Sequence, residues 1–334
     1  MMPPVSAFGA DLDPDIRRFI QETGAAYGDH PPFDTLSPDA MRAVCEAVRT
    51  PWRQGGPVMV RTEAFEVATP HGRVNVRLLD PTPASDAPKP CLVYVHGGGW
   101  MLFSMQTHDR VMREYAARAS VVVIAMDYAY APAAKFPVAL EQVVATLRWT
   151  HDHAAELGID PDRIAIGGDS VGGNMSVATA LMLRDVGEGD LLKGLMLHYG
   201  AFDDDSSPED HIRYGGEGYM LSSAEMVMFW DNYLNNDADH HNPLAVPMRA
   251  DVTGLPPAFF TIPQCDVLSG QSRIMAERFK AAGIATQVEI YPGASHSFLE
   301  AVSISPLAEK AIHDGAMWLA RLFATVKADS EVPA

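Results

Sequence analysis

The sequence predicts an α/β protein with a mostly parallel central sheet and helices on both faces. Three observations support this fold class. Six short apolar runs succeed one another between residues 91 and 291, helical patterns lie between most of them, and two alternating strands precede them. Near-continuous apolar strands separated by helices are typical of a parallel sheet that is buried on both faces, because the crossover helices cover it.

The N-terminal segment, residues 1–50, holds two predicted helices. The first covers about 15–23 and has isoleucine and phenylalanine side chains on one face. The second follows Ser37, a typical N-cap residue, has Pro38 at its first position and ends near Arg49. We therefore expect a helical segment that precedes the sheet.

The predicted strands begin after residue 58. Two alternating runs, FEVAT (65–69) and VNVRLL (74–79), predict a hairpin. The continuous apolar runs that follow are CLVYV (91–95), VVVIAM (121–126), RIAIG (163–167), LMLHY (195–199), AFFTI (258–262) and TQVEIY (286–291). Helical patterns such as those at 138–157 and 272–282 lie between them, as expected of parallel strands.

One connection is longer than a loop requires. Residues 202–256 separate LMLHY from AFFTI, whereas about 2–6 residues join a strand to a helix in most α/β units. We interpret this segment as an insertion over one end of the sheet, with a helix near 223–234. Met220 is left open between pocket wall and packing, and Phe229 is expected to seal the insertion onto the body. The predicted division of the chain is 1–50, a first core part 51–201, the insertion 202–256 and a second core part 257–334.

The composition argues against several classes of function. The 334 residues include 25 Lys and Arg against 43 Asp and Glu, which gives a formal net charge of −18. This excess repels nucleic acids and anionic membrane surfaces, and no apolar run is long enough to span a membrane. Cys45, Cys91 and Cys265 are far apart, and residues 1–19 lack a signal-peptide pattern. The sequence thus predicts a cytoplasmic protein without a disulfide framework.

A serine stands between glycines directly after one apolar run. The stretch from Gly168 to Gly172 reads G-D-S-V-G and fits the pattern G-x-S-x-G around Ser170, with a strand before it and an alanine-rich helix after it. Glycine is needed at both outer positions, because side chains there would collide with a strained serine or with neighbouring strands. An ordinary strand-to-helix turn is the alternative, but the context favours a nucleophile.

Three consecutive glycines follow another apolar run, in VYVHGGGW, where His96 precedes the glycines and Trp100 follows them. A phosphate-binding loop would continue with Lys and then Ser or Thr, and this one does not. The remaining interpretations are a flexible strand exit and an oxyanion hole, in which unhindered amides stabilise a negatively charged intermediate. H-G-G-G upstream of G-x-S-x-G is more specific than either motif alone.

A serine nucleophile requires a histidine that accepts its proton. His296, in YPGASHSF, follows a predicted strand and precedes a helix, so it lies on a loop at the carboxyl end of that strand. His198 lies within an apolar strand and is interpreted as a hydrogen-bonded core residue. His240 and His241 are adjacent, but adjacent histidines rarely share one ion, so we predict no metal site.

The histidine in turn requires an acid that orients it. Asp266 comes just after the strand AFFTI and lies between Ser170 and His296 in chain order. An N-cap of the next helix is the alternative role for Asp266. The three acids at 203–205 also follow a strand, but they are typical of a solvated loop.

The motifs HGGGW, GGDSVGGN, CDVLSG and SHSF occur in this order and resemble those of the hormone-sensitive-lipase-like family of α/β-hydrolases, which includes bacterial esterases. The stretch DYAYAPAAKFPVAL is similar to that family's D-Y-R-L-A-P-E-x-x-F-P-A-A-L. The resemblance extends from about Phe65 to Leu322. It implies the α/β-hydrolase fold, with a helical cap formed by residues 1–50 and 202–256.

The resemblance also implies the roles of individual residues. Ser170 would be the nucleophile, His296 the base and Asp266 its partner. The backbone amides that form the oxyanion hole would be those of Gly98, Gly99 and Val171. The family's Arg and Glu of Y-R-L-A-P-E are replaced by Ala129 and Ala133 here, so a supporting ion pair or hydrogen-bond network is expected to be missing.

The expected function is that of a serine carboxylesterase, which hydrolyses short- to medium-chain acyl esters through an acyl-enzyme. Its partner would be a small-molecule ester, and no metal or organic cofactor is needed. An amidase, a deacetylase or an acyltransferase with the same triad is the second hypothesis. A non-catalytic small-molecule receptor is the third, disfavoured because Ser170 and His296 are both present. An exposed edge strand near the C-terminal end leaves a homodimer open.

Overall fold

The computed structural model describes residues 9–83 and 87–330 of the chain. Residues 1–8, which belong to the segment without a signal-peptide pattern, lie outside the described residues. The same holds for residues 84–86 and 331–334.

Eight strands form one sheet in the order β1-β2-β4-β3-β5-β6-β7-β8. The strands from β3 to β8 are parallel, whereas β2 pairs antiparallel with β1 and with β4. Their bounds are Arg61–Thr69 (β1), Gly72–Asp80 (β2), Lys89–Val95 (β3), Val122–Asp127 (β4), Ile159–Asp169 (β5), Gly194–His198 (β6), Ala258–Cys265 (β7) and Thr286–Ser295 (β8). Every predicted strand overlaps an observed one, and the mostly parallel sheet is confirmed.

Helices pack on both faces of the sheet. Neighbouring side chains of β3 alternate between two separate clusters of buried residues: Val93 belongs to one cluster, and Leu92 and Tyr94 belong to the other. The alternation places one cluster on each face of the sheet. The helices are Pro14–Gly28 (α1), Pro38–Arg49 (α2), Asp109–Ala119 (α3), Val138–Asp152 (α4), Ala154–Leu157 (α5), Val171–Asp185 (α6), Pro208–Tyr214 (α7), Ser223–Tyr233 (α8), Ser269–Ala281 (α9) and Pro306–Ser330 (α10).

Local sequence signals explain where the helices begin and end. Ser37 caps α2 by accepting a hydrogen bond from the amide of Ala40, as its sequence predicts. Helix α1 extends five residues beyond its predicted end, to Gly28. The single helix predicted at 138–157 is wrong, because it breaks at His153. The imidazole of His153 donates to the carbonyl of Trp149 at 2.9 Å, and such side-chain bonds to the backbone favour helix ends.

The segment 202–256 contains two helices, α7 and α8. Helix α8 agrees with its prediction and begins with a capping box, in which Ser222 and Glu225 satisfy each other's backbone amides. Helix α7 was not expected from the sequence. The division of the chain into core and cap segments stays a prediction.

The interpretation of residues 203–205 as a solvated loop holds for only one of the three acids. Asp205 is exposed. The Asp204 side chain is only 11% exposed, because its carboxylate lies 2.9 Å from Arg249 and 2.6 Å from His240. Asp203 also pairs with Arg249, at 3.1 Å. Two of the three acids therefore hold the start of the insertion against later parts of the same segment.

The loop after β4 contains the two alanines that depart from the family pattern. Its backbone is fixed in other ways: Ala129 donates to the side chain of Gln142 at 2.7 Å, and Ala131 donates to the carbonyl of Trp100 at 2.9 Å. The indole of Trp100 in turn stacks on Tyr233 of α8, with ring centroids 3.9 Å apart. Other hydrogen bonds thus hold this loop where the family's Arg and Glu are absent.

Three features bear on the remaining expectations. Strand β8 is an edge of the sheet, as predicted. All three cysteines are free and buried, which agrees with the prediction of no disulfide framework. In the part of the chain that the structure describes, no helix combines the length and the apolar character needed to cross a membrane.

Candidate active site

Ser170 occupies a strained turn between β5 and α6. Its backbone has φ 54° and ψ −119°, a conformation that residues other than glycine rarely adopt. The Ser170 amide donates to the carbonyl of His198 at 2.9 Å. A Cβ atom at Gly168 or Gly172 would collide with the carbonyl oxygen of Val95 in β3. The requirement for glycine at these two positions, predicted from the sequence, is confirmed.

The glycine loop follows β3 and lies beside this turn. Gly98 has φ 113°, and its carbonyl accepts hydrogen bonds from Met101 and Leu102 at 3.0 and 2.8 Å. Among the described residues, the amides of Gly98 and Gly99 donate to no protein acceptor. Val171 is the first residue of α6, where an amide has no acceptor within its own helix. All three amides are therefore free to bind a ligand oxygen.

His296 and Asp266 are joined by a buried hydrogen bond. Each follows the end of a parallel strand, Asp266 after β7 and His296 after β8. The distance from His296 Nδ1 to Asp266 Oδ2 is 2.8 Å, and the Asp266 side chain is fully buried. A donating Nδ1 leaves Nε2 as a proton acceptor. The alternative role for Asp266 is wrong, because Leu268 is the N-cap of α9 and Asp266 accepts from its amide at 3.0 Å.

Ser170, His296, Gly98 and Gly99 line one cavity of about 400 Å³. Among the described residues, no hydrogen bond joins the Ser170 hydroxyl to the His296 ring. Catalytic hydrogen bonds are often loose without substrate and tighten in the complex. The structure thus brings four predicted residues to one cavity, with Asp266 bonded behind His296.

The wall of the cavity comes largely from the N-terminal segment and from the insertion 202–256. Phe229 packs so closely on Gly99 that a Cβ there would collide with its ring, so Phe229 lines the cavity besides sealing the insertion. Met220, left open by the sequence, also lines it. The wall is mainly apolar and includes Tyr27, Phe33 and Arg49 from the N-terminal segment and Leu221, Glu225 and Met228 from the insertion.

Asp169, directly before Ser170, was not predicted as a site residue. Its Oδ1 accepts hydrogen bonds from the Tyr94 hydroxyl at 2.9 Å and from the Gly97 amide at 3.1 Å. Its Oδ2 lies 3.2 Å from His108 Nε2. Asp169 therefore ties the start of the glycine loop to the serine turn. The sequence signal for this role is its place within the motif GGDSVGGN, directly before Ser170.

The Asp169–His108 pair is charged. Burial alone would lower the pKa of His108, but the Asp169 carboxylate raises it to about 9. Burial would likewise raise the pKa of Asp169, but the His108 cation beside it holds that pKa well below the ordinary range. The His108 Nδ1 also contacts Thr107 Oγ1 at 2.9 Å and the Ser104 carbonyl at 3.2 Å, so the pair is hydrogen-bonded throughout.

Two further buried histidines are neutral. Burial and the nearby His108 cation lower the pKa of His96 to about 3, and its Nδ1 donates to the Gly97 carbonyl at 2.7 Å. Burial lowers the pKa of His198 to about 4. Its Nδ1 lies 2.8 Å from Thr261 Oγ1, but its Nε2 has no partner among the described residues. The interpretation of His198 as a hydrogen-bonded core residue therefore holds for one ring nitrogen only.

A metal site is the remaining question about the histidines. His240 pairs with Asp204 instead of joining a cluster with His241. Within residues 9–83 and 87–330, no group of three or more His, Cys, Asp and Glu side chains could hold a metal ion.

Comparison with protein families gives a match over residues 92–300 to a family described as having the alpha/beta hydrolase fold. The match covers more than half of the chain. The chain belongs to the hormone-sensitive-lipase-like family of α/β-hydrolases. The fold class expected from the sequence is thereby confirmed for this α/β-hydrolase.

Solved structures of related α/β-hydrolases agree with this assignment. A hyperthermophilic esterase from the archaeon Pyrobaculum calidifontis is 30% identical, with a TM-score of 0.86 over 94% of this chain and 99% of its own. An ester hydrolase from the metagenome of Lake Arreo, complexed with a derivative of bipyridine phosphonate, is 32% identical, with a TM-score of 0.88 over 94% and 99%. A thermophilic carboxylesterase cloned from a metagenomic library is 30% identical, with a TM-score of 0.83 over 87% and 99%.

Proposed function

We propose that the protein is a serine carboxylesterase that hydrolyses small esters with short- to medium-chain acyl groups. One observation carries the proposal: the His296–Asp266 pair, 2.8 Å apart, and the strained Ser170 meet at one cavity. Similar proteins named as esterases or carboxylesterases support the ester as substrate.

The proposed reaction is acyl transfer to water. The Ser170 hydroxyl attacks the ester carbonyl while His296 Nε2 accepts its proton, and Asp266 stabilises the resulting imidazolium. The amides of Gly98, Gly99 and Val171 would bind the oxyanion, and loss of one such donor typically costs about 3–4 kcal/mol in the transition state. His296 then protonates the leaving alcohol, and a water molecule repeats the sequence on the acyl-enzyme.

The cavity supports the predicted size of the substrate. Its volume of about 400 Å³ lies near the lower end of the range for small-molecule sites, roughly 300–1,000 Å³. We propose that α1, α2 and the segment 202–256 act as the cap over it, because both regions supply its wall. The cytoplasmic location and the homodimer stay predictions.

An amidase, a deacetylase or an acyltransferase would use the same triad and remains the second hypothesis. The mainly apolar wall favours the ester, because no described feature beyond Arg49 and Glu225 offers charged groups to a polar peptide-like substrate. The non-catalytic receptor is disfavoured, because a receptor has no need for a strained serine beside a bonded histidine–aspartate pair.

The experiment that tests the proposal is an acyl-chain series of p-nitrophenyl esters from acetate to dodecanoate, with the matched p-nitroanilides. We expect kcat/KM to peak at a short or medium chain and to be much lower for each anilide. A preference for anilides would favour the amidase. Absence of turnover for every ester and anilide would contradict the proposed function.

A further inference from the structure

The cavity wall contains one arginine whose hydrogen-bonding groups are not satisfied. Arg49 is the last residue of α2, and its side chain is only 3% exposed. Its Nε lies 3.3 Å from Glu300 Oε2, but among the described residues neither this contact nor any other gives Nε, Nη1 or the two Glu300 oxygens a hydrogen bond. Within residues 9–83 and 87–330, its Nη2 reaches only the sulfur of Met220, at 3.6 Å.

This arrangement is energetically unusual. A guanidinium carries five N–H donors, and a thioether sulfur is a weak acceptor. Burial alone would lower the pKa of Arg49, and the Glu300 carboxylate raises it, so the group stays charged. Buried charges in folded proteins are normally both paired and hydrogen-bonded, because an unmade bond to a charged group costs about 1–3 kcal/mol or more. Unsatisfied buried donors that line a cavity therefore indicate a ligand with acceptor atoms.

The neighbours of Arg49 hold its guanidinium in place. The rings of Phe19 and Phe103 lie 5.4 and 5.0 Å from it, in cation–π contact. Arg49 and Phe103 line the cavity that contains Ser170, whereas Glu300 does not. The guanidinium is thus held by the two rings and by Glu300, and the Arg49 side chain forms part of the cavity wall.

We propose that Arg49 binds a carboxylate of the ester substrate, so that this α/β-hydrolase prefers esters which carry a second, ionised acid group. Half-esters of dicarboxylic acids and esters of acidic alcohols have this chemistry. A planar guanidinium matches a carboxylate with two parallel hydrogen bonds, and this pairing is stronger than a neutral one. The inference rests on the proposed esterase function and names the class of substrate.

The other charges near the cavity are compatible with an anionic group. Glu225 also lines the cavity, but its Oε2 accepts from the Ser222 amide at 2.8 Å and from the Ser222 hydroxyl at 2.7 Å. Glu300 lies behind Arg49 and offsets part of its charge. Removal of the Glu300 charge should therefore strengthen binding of an anion, which a merely structural role of the pair would not do.

The test compares charged and neutral esters of matched shape. One arm places the acid on the acyl group, with mono-p-nitrophenyl adipate against p-nitrophenyl hexanoate. The other places it on the alcohol, with p-carboxyphenyl butyrate against phenyl butyrate. In at least one arm, we expect the wild-type protein to show a kcat/KM for the charged ester about tenfold or more above that of the neutral ester, mainly through KM.

Three variants separate recognition from structure. Arg49→Met combined with Glu300→Gln removes both charges without leaving either unpaired. The ratio of kcat/KM for the charged ester to kcat/KM for the neutral ester should then fall by about tenfold or more. Glu300→Gln alone should raise the same ratio severalfold. Arg42→Met is the control, because Arg42 lies in the same helix but bonds to Asp39 and to the Met101 carbonyl, and does not line the cavity. Its ratio should equal that of the wild type.

The outcomes distinguish the two proposals. Turnover of neutral esters with no preference for the charged ester in either arm would overturn the role of Arg49 and leave the esterase function standing. Equal ratios in wild type, Glu300→Gln and the double variant would overturn it as well. If no ester is hydrolysed, the esterase function fails, and the role of Arg49 as a substrate-binding residue fails with it.

Discussion

Two buried ion pairs near Ser170 differ in how completely they are hydrogen-bonded. Asp169 and His108 are about 3% and 2% exposed in their side chains, and each accepts or donates several well-formed bonds. Arg49 and Glu300 are buried to a similar degree, at 3% and 4%, but in the part of the chain that the structure describes, Nε and Nη1 of Arg49 and both carboxylate oxygens of Glu300 have no hydrogen bond. The two pairs are therefore about equally buried, but only the Asp169–His108 pair is well hydrogen-bonded.

The difference distinguishes charges that hold the site together from charges that can still bind a ligand. A fully satisfied pair is rigid, and this one joins the serine turn to the glycine loop through Asp169. A pair with free donors beside a cavity retains bonding capacity that only a ligand or water can use. The extent of hydrogen bonding, and not the degree of burial, therefore distinguishes the pair that positions the site from the pair that we propose binds substrate.

The largest expected effect comes from removal of the Ser170 hydroxyl. Ser170→Ala should lower kcat for p-nitrophenyl butyrate by roughly four to six orders of magnitude, because the nucleophile is lost. Ser176→Ala is the matched control, because Ser176 lies in α6, the helix that follows Ser170, and among the described residues its hydroxyl bonds only to the Gly172 carbonyl. Comparable activity in Ser170→Ala and Ser176→Ala would contradict the role of Ser170 as the nucleophile.

Loss of the hydrogen-bonded Asp169–His108 pair should change kcat more than KM. Asp169→Asn removes the charge that holds His108, so the glycine loop and Ser170 lose their fixed relation, and kcat should fall by about ten- to a hundredfold. The control is Asp204→Asn, since Asp204 is also ion-paired but its partners His240 and Arg249 lie in the insertion 202–256, away from the glycine loop. Steady-state kinetics with a neutral ester measure both. A change confined to KM would contradict a positioning role for Asp169.

The same pair should make stability depend on pH. Because the folded protein raises the pKa of His108 from 6.5 to about 9, its stabilising contribution is complete below pH 6.5 and is lost as pH rises through about 9. Asp169 stays ionised throughout this window. Urea unfolding should show a free energy of unfolding about 3 kcal/mol lower above this window than below it. His108→Gln should show a smaller decrease, and an unchanged decrease would assign the effect to other groups.

The smallest expected effect is the loss of stability when the Arg49–Glu300 pair is broken. Glu300→Gln leaves Arg49 without its counter-ion, but water in the cavity can solvate the guanidinium, so the loss of stability should be about 1–3 kcal/mol. Asp169→Asn should cost about 3–5 kcal/mol, because it leaves the buried His108 cation without its counter-ion. Chemical denaturation of both variants under one condition gives the order. A larger loss of stability in Glu300→Gln than in Asp169→Asn would contradict this expected order.

The sequence predicted the parts of the fold and site that follow local rules. Strands from apolar runs, the cap at Ser37 and the glycines around Ser170 each depend on neighbours within a few residues or on one steric requirement. Asp266 and His296 were predictable because parallel strands bring their carboxyl ends to one edge of the sheet. Their hydrogen bond follows from that placement.

The features that the sequence did not predict depend on contacts between distant segments. Asp169 bonds to Gly97 and His108, 72 and 61 residues away, and Arg49 meets Glu300 only after both ends of the chain have packed. The same limit explains Asp204, whose partners His240 and Arg249 come from later parts of the insertion. A single sequence contains no local pattern for such pairs, because any buried charge can find its partner anywhere in the fold.

The most direct test of the account is the site of covalent labelling by a fluorophosphonate, mapped by peptide mass spectrometry. We expect one adduct, on Ser170, together with loss of esterase activity in proportion to labelling, and no adduct in Ser170→Ala. An adduct on another serine, or full ester hydrolysis by protein labelled at Ser170, would contradict the assignment of Ser170 as the nucleophile.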